Sequence, residues 1–213
     1  MGWRTVSASR LVAFAVFLTG FLLGGCASDR GAYEGPNGGF VVASVAVRSD
    51  TLFSIVRLDV RRRGGGDEGL IFYANDPLLP GPKADFDTAA SRGAVGSVRV
   101  APGEYELYNF LASYGNTDYS AKQDFSIPFT VDAGGITYIG EYTFAAIYGE
   151  NFFGMTVPAG PLLSIADQQA RDIAVVRARL PEAAAAKVRT AVPDPRQLNL
   201  PFFPPTPPPI HQR

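Results

Sequence analysis

Short segments in which apolar and polar residues alternate, cut apart by glycine and proline, constrain this chain more than anything else in it. In "FSIPFTV" (125–131), Phe125, Ile127, Phe129 and Val131 point one way, and Ser126, Pro128 and Thr130 the other. "ITYIGEYTF" (136–144) puts Ile136, Tyr138, Tyr142 and Phe144 on one side, Thr137, Glu141 and Thr143 on the other. In "LFSIVRLDVR" (52–61), Leu52, Ser54, Val56, Leu58 and Val60 share a face opposite Arg57, Asp59 and Arg61. Strand side chains alternate between two faces, so this pattern specifies half-buried β-strands. "FVVASVAV" (40–47) is apolar almost throughout, as in a strand covered on both faces. Pro128 has no N–H to offer a neighbour, which assigns its strand to a sheet edge.

Two turns punctuate the pattern. Pro102-Gly103 lies between two strands in "VRVAPGEYEL" (98–107), and proline with a fixed φ before glycine suits a type II turn. Gly134-Gly135 repeats the design in "VDAGGITY" (131–138). Helical spacing begins only in "IADQQARDIAVVRARL" (165–180), with Asp167 to cap it, Ile173, Val176 and Leu180 on one face, and Arg177 and Arg179 in the last turn. Pro181 suits the first position of a second short helix, "PEAAAAKVRTA". From Pro193 the chain has eight prolines in 21 residues, a composition that favours extended polyproline II and no packed core. The expected fold is an all-β antiparallel sandwich with one or two C-terminal helices and a disordered proline-rich tail.

At the N-terminus, Arg4 and Arg10 precede a mostly apolar run of 13 residues, "LVAFAVFLTGFLL" (11–23), then Gly24, Gly25 and the only cysteine, Cys26. A spanning helix needs about 20 apolar residues, so this run reads as an export signal. Leu23-Gly24-Gly25-Cys26 resembles the lipobox of bacterial lipoproteins, apart from Gly where Ala or Ser is more usual at the middle position. The resemblance implies cleavage before Cys26, acylation of its thiol and a membrane anchor. Ala27, where an Asp would favour retention at the inner membrane, implies outer-membrane sorting by similarity to proteobacterial lipoproteins. The two glycine turns are similar to those of prealbumin-like (carboxypeptidase-regulatory-like) β-sandwich modules in exported bacterial proteins. Val100 to Leu180 resembles uncharacterised bacterial lipoproteins in which such a module ends in a helix. Neither likeness carries catalytic residues. The expected division is a signal over 1–25, a flexible tether over 26–39, a sandwich over 40–164, a helical segment over 165–191 and a tail over 192–213.

Composition then narrows the chemistry. Without residues 1–25 the chain keeps 17 basic and 20 acidic residues, a formal charge of −3 with no concentrated basic face, so no nucleic-acid partner is expected. An acylated Cys26 leaves no thiolate, and the only histidine is His211. Cys/His zinc sites and Ser-His-Asp triads are thereby excluded from the folded domain. No metal, cofactor or catalytic residue is expected, and the chain reads as a non-enzyme. Glu104, Glu106 and Glu141 invite a two-carboxylate glycosidase reading, but Glu104 and Glu106 share one strand face beside a turn and read as solvated.

The partners expected are a membrane, through the lipid, and an envelope protein, through the tail. "NDPLLPGPKADFD" (75–87), with Asp76, Asp85 and Asp87, is the first choice for a contact surface, together with Tyr114 and Tyr119. A small-molecule or glycan ligand on that loop and the nearby aromatics is the alternative. The other aromatics of 105–119 read as core, Tyr105 on the face of Leu107 and Phe110 on the opposite one. "RRRGGGDEG" (61–69) reads as a solvated hairpin loop, with contact to anionic lipid headgroups as its alternative. Phe152, Phe153 and Met155, beyond the hairpin tip Gly149-Glu150-Asn151, read as core; exposed, they would form a partner-binding patch.

Overall fold

The computed structural model describes residues 33–66, 68–198 and 200–204. The signal, Cys26 and residues 205–213 of the tail lie outside them. Among the described residues eleven strands form two sheets packed face to face: β1 (Gly39–Arg48), β2 (Ile55–Arg62), β3 (Glu68–Ala74), β4 (Phe86–Asp87), β5 (Ser91–Val100), β6 (Gly103–Tyr114), β7 (Thr117–Ser120), β8 (Ile127–Val131), β9 (Ile136–Glu150), β10 (Thr156–Ala166) and β11 (Val188–Thr190). The first sheet runs β10-β9-β1-β5-β4, and β11 follows β10 along the same edge of β9. The second runs β3-β2-β6-β7, with β8 following β7 along β6. Pairing is antiparallel except for β1 and β11 against β9.

The continuous apolar run of β1 is explained by its central position. Val41, Val45 and Val47 face the sandwich interior, beside Val56, Leu58, Val60 and Leu107 of the other sheet. Phe40 and Val42 face outward, where α1 (Gln169–Arg179) lays Ile173 and Val176 over them. Each such side chain removed from water is worth about 1.5–3 kcal/mol. Pro128 stands on β8, whose only ladder is with β6, so the proline is at an edge as its chemistry requires.

Both glycine turns are corners between sheets. Pro102-Gly103 carries the chain from β5 to β6, and Gly134-Gly135 from β8 to β9. Gly103, at φ 153°, is already the first residue of β6 and departs from the roughly +80° of a type II turn.

Two bulges redistribute the predicted faces. Val42 pairs with Tyr138 and Ser44 with Glu141, so β9 carries an extra residue beside Gly140, whose φ of 110° only glycine adopts without strain. Ile136 and Tyr138 therefore face α1, whereas Tyr142 and Phe144 fill the interior; the four do not share a side. In β6 the pairing skips Tyr108, between Asn109 opposite Asp59 and Leu107 opposite Val60. Phe110 thus joins Tyr105 and Leu107 in the interior instead of facing away from them. Leu52 precedes β2 and is exposed, and Phe53 takes the buried place beside it.

The described segments on either side of the sandwich are more ordered than their composition implies. Tyr33 donates its N–H to the Arg99 carbonyl at 2.8 Å, and Arg99 donates back to the carbonyls of Tyr33 and Gly35. Residues 33–39, expected as part of a flexible tether, are therefore fastened to β5; 26–32 lie outside the described residues. After α1, Pro181–Ala183 forms a single 3-10 turn in place of a second helix, and the chain then extends into β11 beside Ile136–Tyr138. An unpaired edge of β9 below β10 competes with weak helix propensity here, and ladder bonds win.

The largest departure is the tail. Residues 192–204 pack on the domain: α2 (Pro195–Leu198) is a single turn, Leu198 and Leu200 lie against the core, and Phe203 is 2% exposed. The Phe203 ring sits 6.1 Å from Tyr142 of β9 and 6.0 Å from Phe125, whose loop is tied to β6 by its N–H on the Tyr108 carbonyl, so it closes the gap between the two sheets. Leu163 of β10 donates its N–H to the Phe202 carbonyl at 2.7 Å. Two aromatics closing the gap along the β10 flank outweigh the extended bias of the prolines around them.

Tyr142 carries the one buried side-chain polar atom without a hydrogen bond among the described residues, its hydroxyl. Burial pushes that phenol far above its ordinary value. An unpaired buried hydroxyl costs about 1–3 kcal/mol, so Tyr142→Phe is expected to be neutral or to stabilise by about 1 kcal/mol in urea unfolding. A loss above about 1 kcal/mol would mean that the hydroxyl has a partner.

Candidate functional site

Strand direction gives the sandwich two distinct ends. The entering chain at Tyr33, the Pro102-Gly103 corner and the Gly134-Gly135 corner lie at one. At the other, Arg48 pairs with Ser91, Ile55 with both Ala74 and Ser113, and Tyr114 with Thr117. The loops 49–54, 75–81, 115–116 and 151–155 therefore gather there. Of the eight large apolar side chains exposed among the described residues, seven belong to this second end: Leu52, Leu78, Leu79, Ile147, Phe152, Phe153 and Met155.

The most prominent element is a finger. β9 and β10 continue as a two-stranded ribbon for six residues beyond Phe144, the last residue of β9 paired with β1. At about 3.3 Å per residue that is roughly 20 Å, of which Ala145 and Ala146 are still buried, so the free part begins at Ile147. Asn151 builds its tip: the side-chain oxygen accepts the N–H groups of Phe153 and Met155, each at 3.0 Å, and its backbone N–H reaches the Met155 carbonyl at 2.9 Å. Phe152 and Phe153 are 96% and 78% exposed, with their rings edge-on at 5.5 Å. The expected core role of these residues is overturned, because the ribbon outruns the sheet that would have covered them. Its base is braced by the Tyr148 hydroxyl, which donates to the Asp50 carbonyl at 2.7 Å.

The predicted contact residues are distributed around this end. Asp76 accepts the Leu78 N–H at 2.9 Å and so holds a turn that leaves Leu78 90% exposed. Tyr114 is half-buried at the β6–β7 turn. Tyr119 packs edge-on against Phe53 at 6.0 Å and donates its hydroxyl to the Pro158 carbonyl at 2.6 Å, tying the two sheets together. Asp85 lies apart from this group: it accepts the Val95 N–H at 2.7 Å and pairs with Arg179, which pins the end of α1 to β5. Asp87 pairs with Arg92 at 3.5 Å. The three aspartates thus have separate partners, and among the described residues no group of three or more His, Cys, Asp or Glu could hold a metal ion.

A pocket of about 590 Å³ opens on the β10 flank, lined by Phe110, Phe125, Pro161, Leu200 and Phe202 with Lys122 and Asp124 at its rim. It arises because the C-terminal segment closes the gap between the sheets incompletely, and no local residue pattern signals it. The volume falls in the range of small-ligand sites.

The remaining polar clusters are internally paired. Asp172, fully buried in the first turn of α1, accepts hydrogen bonds from Ser44 at 2.6 Å, Tyr138 at 2.9 Å and Arg171 at 2.7 Å. Arg171 also reaches Glu141 at 2.7 Å and lies 3.7 Å over the Phe86 ring. Burial, with the Asp172 charge beside it, drives the Tyr138 phenol far above its usual range, so it stays a neutral donor. This group locks α1 onto the sheet. On the outer face of the other sheet, Glu106 takes hydrogen bonds from Ser126 at 2.6 Å and Arg61 at 2.8 Å, which hold its carboxyl below the ordinary carboxylate range. Glu104 accepts from Thr130 at 3.0 Å. Glu141 and the Glu104–Glu106 pair therefore lie on outer faces of opposite sheets, not across one cleft. The three glycines Gly64, Gly65 and Gly66 all have φ between 89° and 111°, the left-handed conformation of a tight hairpin loop.

No family model matches this chain, and no curated protein matches it. Among solved structures, a candidate cell adhesion protein from Parabacteroides distasonis aligns with a TM-score of 0.32 and 12% identity over 59% of this chain and 40% of its own. A leucine-rich repeat protein from Bacteroides thetaiotaomicron aligns with a TM-score of 0.32 and 14% identity over 53% of this chain and 13% of its own. The chain thus spans less than half the length of either, and nothing of their roles passes to it at that similarity.

Proposed function

We propose that this chain is a lipid-anchored cell-envelope protein, held at the outer membrane by an acylated Cys26, whose β-sandwich is a non-catalytic protein-binding module facing the periplasm. The finger carries the binding reading: a rigid tip holds Phe152 and Phe153 in water, an arrangement that costs solubility unless something covers it. The lipobox supports the anchor, and chain length sets how far from it the sandwich would lie. Cys26 is seven residues from Tyr33, which Arg99 clamps to β5. Such a stretch spans at most about 25 Å, so the sandwich stays close to the bilayer. Two or three acyl chains bind a membrane stably, and the described residues contain no helix long and apolar enough to cross one.

The aromatic pocket on the β10 flank favours a second reading, a small-molecule binding protein. Its wall suits an apolar ligand better than a glycan, and it is separate from the 75–87 loop.

Membrane fractionation with intact-mass analysis tests the proposal, comparing wild type with Cys26→Ser and placing a photo-cross-linking residue at position 152 in both. Wild type is expected in the outer-membrane fraction with an acylated N-terminal Cys26, and the variant in the soluble fraction. The cross-linker is expected to trap protein. A soluble, unmodified wild type would overturn the anchor, and adducts confined to phospholipid would overturn protein binding.

A further inference from the structure

We propose that the finger docks in the β10-flank pocket of a second copy of this chain, the two copies exchanging fingers about a two-fold axis. The inference rests on reading the finger as a protein-binding element and names its partner. Both halves of the contact lie along β10. The fingertip projects beyond the pair Glu150–Thr156, and the pocket wall includes Pro161, which pairs with Ala146 at the root of the finger. The two pairs are four β9 residues apart, roughly 13 Å at about 3.3 Å per residue, because β10 bulges at Ala159. The β9–β10 ladder keeps that separation fixed, so a chain's own finger cannot enter its own pocket. A two-fold axis crossing β10 midway, near Pro158, carries the second finger down to this pocket and this finger to the other. One displacement is used twice, which is the condition for a closed, isologous dimer.

Shape, chemistry and charge agree with that placement. Apolar and aromatic side chains line the pocket, and Phe110, Phe125 and Phe202 already sit 4.9–6.3 Å apart in edge-on and tilted contacts. A phenyl ring from the finger extends that cluster in the geometry aromatic pairs prefer. Of the two charges on the rim, Asp124 is engaged by Arg61 at 2.7 Å, whereas Lys122 is exposed and has no ion pair within the described chain. Glu150, beside the fingertip, is likewise exposed and has no ion pair among the described residues. The exchange brings opposite charges together. A phenylalanine side chain buries about 150–250 Å². Two fingers with Phe152, Phe153 and Met155, together with the walls they cover, therefore bury on the order of 1,600 Å² in total, the size of a standard specific interface. Antiparallel copies place their Tyr33 ends at opposite ends of the assembly, and a seven-residue stretch reaching about 25 Å lets both lipids enter one bilayer beneath it.

The test uses the full chain in detergent, with mass followed by analytical ultracentrifugation across concentration. Wild type is expected to be a dimer, and Phe152→Asp with Phe153→Asp to raise its dissociation constant at least 100-fold without lowering the thermal midpoint, since both rings are exposed in one chain. Glu150→Lys and Lys122→Glu should each weaken the dimer about 5–10-fold, and the double reversal should restore it. In a Cys26→Ser background, which has no other cysteine, Glu150→Cys with Lys122→Cys should oxidise to a covalent dimer, and neither single cysteine should do so efficiently. A monomer at every concentration, or a dimer indifferent to both charge reversal and the aspartates, overturns the proposal. If a different protein is cross-linked from position 152 while the chain stays monomeric, self-pairing fails and the protein-binding reading stands. Adducts confined to phospholipid overturn both.

Discussion

Phe203→Ala is expected to lower the unfolding free energy by about 3–5 kcal/mol, the range for emptying a buried aromatic site. Phe203 is 2% exposed and holds a ring from the β7–β8 loop and one from β9, Phe125 at 6.0 Å and Tyr142 at 6.1 Å, with Phe202 at 5.1 Å beside it. The site cannot collapse easily, because the sheets on either side are fixed by their own ladders. A urea titration is the measurement: the midpoint should fall with little change in slope. Deleting 205–213 removes none of these contacts and is expected to leave the midpoint within about 0.5 kcal/mol of wild type, whereas deleting 193–213 should cost at least as much as Phe203→Ala. A Phe203→Ala protein within 1 kcal/mol of wild type would show that the C-terminal segment merely rests on the sandwich. Truncations meant to probe the tail as a binding arm therefore have to begin after Pro204.

Asp172→Ala is the second large effect, expected at about 3–5 kcal/mol, as for breaking one side of a buried ion pair. The substitution strips Arg171 of one carboxylate and leaves the hydroxyls of Ser44 and Tyr138 without their acceptor beneath α1. Glu141, at 2.7 Å from Arg171, retains part of the charge pairing, which sets the upper bound. Asp172→Asn keeps an acceptor oxygen and should lose about half as much. Hydrogen exchange separates a local from a global effect: α1 amides are expected to exchange faster while those of β2 and β6 remain protected. Equal protection of α1 in Asp172→Ala and wild type would remove the lock as an explanation.

Both predictions concern contacts that join segments far apart in the chain, and that is where reading from residues alone fell short. The β-sandwich was legible because alternation is a local consequence of strand geometry and survives in any partner's company. β1 announced its double coverage through eight nearly uninterrupted apolar positions, and Pro128 its edge through the N–H it lacks. The bulges at Gly140 and Tyr108 could not be read in the same way. One extra residue reverses every face beyond it, and whether the partner strand accommodates it is a property of the pair.

The same division separates what the sequence determined from what the tertiary structure decided. Strand periodicity, the single amphipathic helix and the lipobox-like run before Cys26 are each written within a dozen residues, as side-chain order along one segment. Where the exposed apolar surface lies is not. Phe152-Phe153 and Phe202-Phe203 are two aromatic pairs in glycine- or proline-containing stretches. One pair stands in water because β9 and β10 outrun their sheet; in the other, Phe203 is buried and Phe202 half-buried because the sheets leave a gap along one flank. Hydrophobicity sets what burial is worth. Only the assembled layers set whether there is anything to be buried against.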